Sequence, residues 1–218
     1  MSTFPGSPRL VKGGIVLLDP QTSVVVRVIA LQYNPETLNR SFQIKALAEG
    51  GDRSDAMRLT GPPVETIKVD VEIDATDQLE FPDQNATFTE LGIFPQLAAL
   101  ETIVYPANSQ IQSNNRLASS GTLEIIPMET PLTLFVWSKN RVLPVRLTDF
   151  SVTEEAFDPK LNPIRAKVSL GMRVLSVNDL PFEHKGTSLF MSYHQQKEAL
   201  AAKALGGTLN ALSITRIP

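Results

Sequence analysis

Residues 131–181 read PLTLFVWSKNRVLPVRLTDFSVTEEAFDPKLNPIRAKVSLGMRVLSVNDLP, and their pattern decides the fold class. Ile164, Ala166, Val168, Leu170, Met172 and Val174 alternate with Arg165, Lys167, Ser169, Gly171 and Arg173. A period of two predicts a long strand with one apolar face and one basic, wetted face. The strand before it spans residues 141–155 and is joined to it through Asp158, Pro159, Lys160, Leu161, Asn162 and Pro163, a run of turn formers. A long antiparallel hairpin whose second face is polar suits a wall, a channel lining or a binding platform better than a catalytic centre.

The same period recurs upstream. Ile67, Val69, Val71 and Ile73 face one way along residues 65–74, while Lys68, Asp70, Glu72 and Asp74 face the other. Residues 14–18 and 24–33 are β-branched, apolar runs around Asp19 and Pro20 and predict a hairpin, which Asn34 and Pro35 end. Residues 38–47 predict a third strand; 122–126 and 132–137 predict two more. Residues 49–63 and 106–121 are polar and predict long loops, and residues 1–13 predict a flexible arm.

Helical signals are fewer. Thr87 and Glu90 have capping-box spacing, and Leu91, Phe94, Leu97, Leu100 and Val104 follow at helical intervals until Tyr105 and Pro106. Pro95 within that run predicts a kink or a restart. Residues 188–205 predict a C-terminal helix by propensity, stopped by Gly206 and Gly207, with a tail beyond. Strand groups around a central helix predict an α+β, mostly β fold, with residues 1–180 as one β domain and 181–218 as a helical extension.

Composition narrows the function classes. With 42% hydrophobic and 20% charged residues among 218, the chain predicts a globular domain, not a disordered one. A net charge of −3 gives no support to a nucleic-acid-binding surface. The chain has no cysteine, so disulfides, thiolate metal sites and cysteine nucleophiles are excluded. No apolar run reaches the length of a signal peptide core or a membrane span, which predicts synthesis and folding in the cytoplasm.

Chemistry-bearing motifs are scarce. The two histidines, His184 and His194, lie ten apart, not at the spacing of a helical metal pair. No GxSxG, P-loop or GxGxxG occurs, and no cofactor is expected. Asp70, Glu72 and Asp74 read as a calcium or acid–base site or, more economically, as a solvated strand face beside Lys68. Arg165, Lys167 and Arg173 would meet phosphates, or pair across strands with that acidic face. Trp137, the single tryptophan, lies in an apolar strand and predicts core packing. Leu189, Phe190, Tyr193 and Leu200 on the C-terminal helix cover the sheet or dock a partner.

Together these elements resemble the tube-protein family of contractile injection systems, which are phage-tail-like devices, and in particular its members that carry a LysM domain after the tube domain. The resemblance rests on Pro131, Leu132, Phe135 and Trp137, then Leu147 and Phe150, then Phe157, Asp158, Pro163, Ile164, Arg165 and Ala166. The segment LQYNPE at residues 31–36 matches the family's early Asn-Pro-Glu element, and LAALETIVYP ends the helix where the family has one. The resemblance covers roughly residues 10–180. Two departures stand out: Ser138 follows the tryptophan where the family has glycine, and no LysM domain follows the β domain within the 218 residues.

The resemblance implies two antiparallel sheets packed as a split barrel around one helix. It implies six such subunits in a ring whose long hairpins join edge to edge around a lumen. Lys68, Asp70, Glu72, Asp74, Arg165, Lys167 and Arg173 would then face the lumen, and Leu189, Phe190, Tyr193 and Leu200 would contact ring or baseplate neighbours. The expected role is a non-enzymatic, hexameric tube initiator or tube–baseplate adaptor, assembled in the cytoplasm with inner-tube, spike-hub and baseplate proteins. A monomeric β-rich module for a small ligand or glycan is the alternative, which 6% aromatic content supports poorly. A hydrolase built on Asp70, Glu72 or Asp74 would need a carboxyl in an apolar cleft.

Overall fold

A computed structural model describes residues 11–46, 57–121, 130–204, 206–207 and 209–217. Among these residues seven antiparallel strands form one open sheet: β1 (Gly14–Leu18), β2 (Val25–Ala30), β3 (Asn39–Gln43), β4 (Val64–Asp74), β5 (Leu132–Ser138), β6 (Arg141–Phe157) and β7 (Pro163–Val174). Their spatial order is β2-β1-β5-β6-β7-β4-β3. The α+β, mostly β expectation matches. In place of two separate sheets, the described strands make a single one, and the reason is the length of β6. Its first residues pair with β5, from Arg141 opposite Ser138 to Val145 opposite Thr133; from Val145 onward it pairs with β7, as far as Phe157 opposite Pro163. A register shift between Leu147 and Asp149 bends it there. One strand thus joins both halves.

Those halves share a core. Ile15, Leu17 and Phe135 from one half and Ile67, Val69, Ala166, Val168 and Met172 from the other bury with Ile93, Leu97 and Leu100 of the central helical segment. A second cluster lies on the other face of β1 and β5, where Val16, Leu18, Leu132 and Leu134 pack with Val142 and Leu189. Residues of β1 and β5 therefore bury on both faces, so β1 is continuously apolar and β5 is apolar except at Thr133 and Ser138; β4 and β7 bury one face and alternate.

The helical segment is more broken than a single helix. It comprises α1 (Thr76–Leu79), α2 (Ala86–Leu91), α3 (Phe94–Glu101) and α4 (Asn108–Ser119). Thr87 sits inside α2 and Asn85 takes the N-cap position with no side-chain cap, so the expected capping box does not form. Gly92, at φ 58°, ends α2, and α3 restarts with Pro95 in its first turn. There proline's missing N–H costs nothing. The stretch 106–121, expected as a loop, contains α4; its polar residues are helix-compatible but none is buried, so the apolar period that signals a packed helix is absent.

Helix α5 (Lys185–Ala201) begins at His184, whose Nδ1 accepts a 3.0 Å hydrogen bond from the Gly186 N–H. It starts before the expected position and ends ahead of Gly206 and Gly207. Expected strand 122–126, most of the arm at 1–13 and much of the loop at 49–63 lie outside the described residues.

Candidate functional site

The sheet face opposite the core on β6, β7 and β4 is polar. Antiparallel register sets Ser151, Ser169 and Asp70 in one row, Thr153, Lys167 and Glu72 in the next, and Glu155, Arg165 and Asp74 in a third. Acidic β4 therefore lies beside basic β7, as the alternation implied. Glu155, not β4, takes the ion pairs: its carboxylate meets Arg165 Nε at 3.1 Å and Lys167 Nζ at 3.0 Å. The Lys167 hydrogen bond is the main cause holding the Glu155 carboxyl below its usual range, with both cations adding to it against partial desolvation. Asp70 accepts from Ser169 Oγ. With Lys68 and Asp149 added, the face carries five carboxylates against three cations, so it is mildly acidic, not basic.

Arg173 stands apart. Its Nη2 meets Asp179 Oδ1 at 2.5 Å, and the other Asp179 oxygen accepts from Ser176 N and Oγ, both at 2.9 Å. Desolvation pushes the Asp179 carboxyl up, but the Ser176 bonds and Arg173 together hold it below its ordinary value. Arg173 thus fastens the turn after β7. A Cβ on Gly171 would stand 2.6 Å from Asp149 Oδ2, so the bare glycine lets Asp149 lie across the row.

Both sheet edges carry exposed apolar residues. Among the described residues β2 pairs only with β1, and β3 only with β4. Val24, Val25, Val26 and Val28 on and beside β2 are exposed, Val28 by 63%, and Phe42 and Ile44 are exposed at β3. An edge strand with one free side and bare valines on both faces is a template for another strand. The end of β2 nevertheless approaches the far half: Gln32 is hydrogen-bonded twice to Asp74, and Arg27 Nη1 donates to Thr102 Oγ1 at 2.6 Å.

The C-terminal helix uses most of its apolar side internally. Leu189 belongs to the second cluster, Phe190 packs on the main core, and Tyr193 is 5% exposed within it; Leu200 is 52% exposed. Of the four expected contact residues, Leu200 alone is largely available to a neighbour of this subunit.

Beside α5 lies an arrangement that sequence reading missed. Glu65 is buried, its side chain 5% exposed, and accepts from Arg40 Nε at 2.7 Å and Lys197 Nζ at 3.3 Å. Arg40 Nη2 donates to Tyr193 Oη at 2.8 Å. The one available signal was parity, since Glu65 has the phase of inward-facing Ile67 and not of Lys68. Trp137 stacks on Phe135 at 5.8 Å between ring centroids and packs against the core, as expected.

Among the described residues no group of three or more His, Cys, Asp or Glu is placed to hold a metal ion, and no helix is long and apolar enough to cross a membrane. No protein-family model matches the chain, and no curated protein matches it.

Proposed function

We propose that the chain is a structural ring protein of a contractile injection system or phage-tail-like particle, a tube initiator or an adaptor between tube and baseplate. The observation that carries this reading is the sheet itself, with two valine- and phenylalanine-bearing open edges flanking a polar face of mixed charge. Edge β2 of one copy pairs with edge β3 of the next, which removes both edges at once. Such head-to-tail contacts repeat until the ring closes; the count of six comes from the sequence resemblance. In this reading the split barrel of the tube fold arises only when neighbouring copies extend the single sheet that wraps α3.

Lys68, Asp70, Glu72, Asp74, Arg165 and Lys167 line the lumen in this arrangement. A mixed-charge wall with no large apolar side chains gives passing cargo little to adhere to. The same wet strand face argues against acid–base catalysis by Asp70 or Glu72, which needs a sheltered carboxyl. Assembly takes place in the cytoplasm with inner-tube, spike-hub and baseplate proteins, and Leu200 is available to them.

Mass in solution over a concentration series tests the reading. A hexamer that grows in with concentration, and that Val24→Lys with Val26→Lys dissolves into folded monomers, is the expected outcome. A monomer at every concentration, also in the presence of the particle's tube and baseplate proteins, would overturn it in favour of a monomeric binding module.

A further inference from the structure

The cleft beside Glu65 has more positive charge than its own carboxylate satisfies. About 340 Å³ in volume, it is lined by Arg40 from β3, Trp137, Asn140 and Arg141 around the β5–β6 turn, and Tyr193 and Lys197 from α5. Both Glu65 oxygens are already engaged, one by Arg40 and one by Lys197. Arg141 is half-buried in the wall, and its guanidinium meets no carboxylate and makes no hydrogen bond among the described residues. Three cations thus line the cleft, and Glu65 pairs with two of them.

A guanidinium held in a partly dry cleft and unpaired is a site for a carboxylate, which it binds through two parallel N–H···O bonds. The surroundings describe the rest of the ligand. Trp137 offers an aromatic wall, Asn140 offers hydrogen bonding, and exposed Leu200 forms an apolar rim, while the Tyr193 ring is covered by Lys197. The cleft is partly open to solvent, with Lys197 and Leu200 of α5 among its lining, so it suits a chain laid across it more than an enclosed small molecule. A lone small anion is weakly held at a site that solvent still reaches, because water and salt partly screen it. We infer that this cleft docks an acidic peptide segment of a partner protein, with a Glu or Asp carboxylate on Arg141 and an apolar neighbour on Trp137 and Leu200. Ring closure is not required for it.

Trp137, as the chain's one tryptophan, reports directly on occupancy. The probe is a peptide of alternating leucine and glutamate, read by Trp137 emission and, when fluorescein-labelled, by anisotropy; its glutamine counterpart and sodium acetate are the controls. The expected result is saturable binding of the glutamate peptide alone, weakened roughly tenfold or more by Arg141→Gln. Leu200→Asp, a change at an exposed position, weakens it as well. Thermal midpoints of both variants stay with the parent, since neither side chain has an internal polar partner. Equal binding of the glutamine peptide, saturation by acetate at the same concentration, unchanged affinity in both variants, or no binding of the glutamate peptide would each overturn the inference. Hexamer formation is read separately by mass, so failure of one proposal leaves the other measurable.

Discussion

Gln32 and Asp74 are joined by a two-bond clasp: Gln32 Nε2 donates to the Asp74 carbonyl at 2.5 Å, and Gln32 Oε1 accepts from the Asp74 N–H at 2.9 Å. The side-chain amide takes the place of a neighbouring strand at the end of β4. It ties the exit of β2 to the opposite half of the sheet, across a groove of about 370 Å³ walled by Val28, Ile73, Pro95 and Leu100. Replacing Gln32 with Ala removes both bonds and leaves two partly buried backbone groups to water. The expected cost is about 1–3 kcal/mol in chemical denaturation, and Gln32→Glu, which loses the donor, retains part of the loss.

Gly92→Ala is expected to be far more damaging than an ordinary glycine replacement. The residue lies at φ 58°, and an added Cβ would stand 2.2 Å from the Pro163 carbonyl, which also accepts from Ile93 N at 2.9 Å. Either the α2–α3 junction or the β6–β7 turn must move. A destabilisation above about 2 kcal/mol follows, seen as a lowered thermal midpoint. Gly121→Ala, whose Cβ would meet no atom of the described residues within 4 Å, should change stability by less despite its own φ of 84°.

Glu65→Ala tests how α5 is held. It leaves Arg40 and Lys197 side by side without their shared carboxylate, in a place where a lone charge is costly. The expected outcome is faster amide hydrogen exchange along α5, with exchange in β7 little changed. Uniform acceleration across the chain would show instead that α5 and the sheet open together.

Acid should weaken the hairpin before it unfolds the core. Glu155 and Asp179 have carboxyls held below their ordinary values of 4.5 and 3.8. Groups depressed in the folded state stabilise it fully above the unfolded value, and that contribution fades as pH falls through the folded value. Denaturation midpoints are therefore expected to be flat near neutrality and to drop below about pH 4.5, with a shallower drop in Asp179→Asn. Asp158, whose oxygens accept from Lys160 N, Asn162 N and Asn162 Nδ2, adds to the same fall at the turn.

Much of the sheet was legible because its two kinds of strand differ in periodicity. Ile67 to Ile73 and Ala166 to Val174 alternate because one face is wet; Ile15 to Leu18 run apolar because both faces are packed. The union of both groups into one sheet was not legible, since it depends on β6 pairing with β5 up to Val145 and with β7 from there on, a change of partner that no residue type announces. Helix α4 was missed because nothing on it is buried, and Glu65 because a carboxylate among apolar neighbours reads as polar until its partners Arg40 and Lys197, distant in sequence, are brought to it. On α5, helical propensity was plain, but the destination of Tyr193 was set by tertiary packing alone.

Strand order also has a consequence for biosynthesis. Ile15 pairs with Ile29 on one side and with Phe135 on the other. The first of these partners follows within a short stretch of translation, while the second emerges only after most of the helical segment has been made. At usual elongation rates the newborn β1–β2 hairpin waits on the order of ten seconds for β5. A two-stranded ribbon is barely stable in water, and during that interval Val16, Leu18 and the valines of β2 are bare on both margins. The nascent chain is thus most prone to aggregate on the ribosome, and its yield in a cell should follow the supply of chaperones that shield emerging apolar segments.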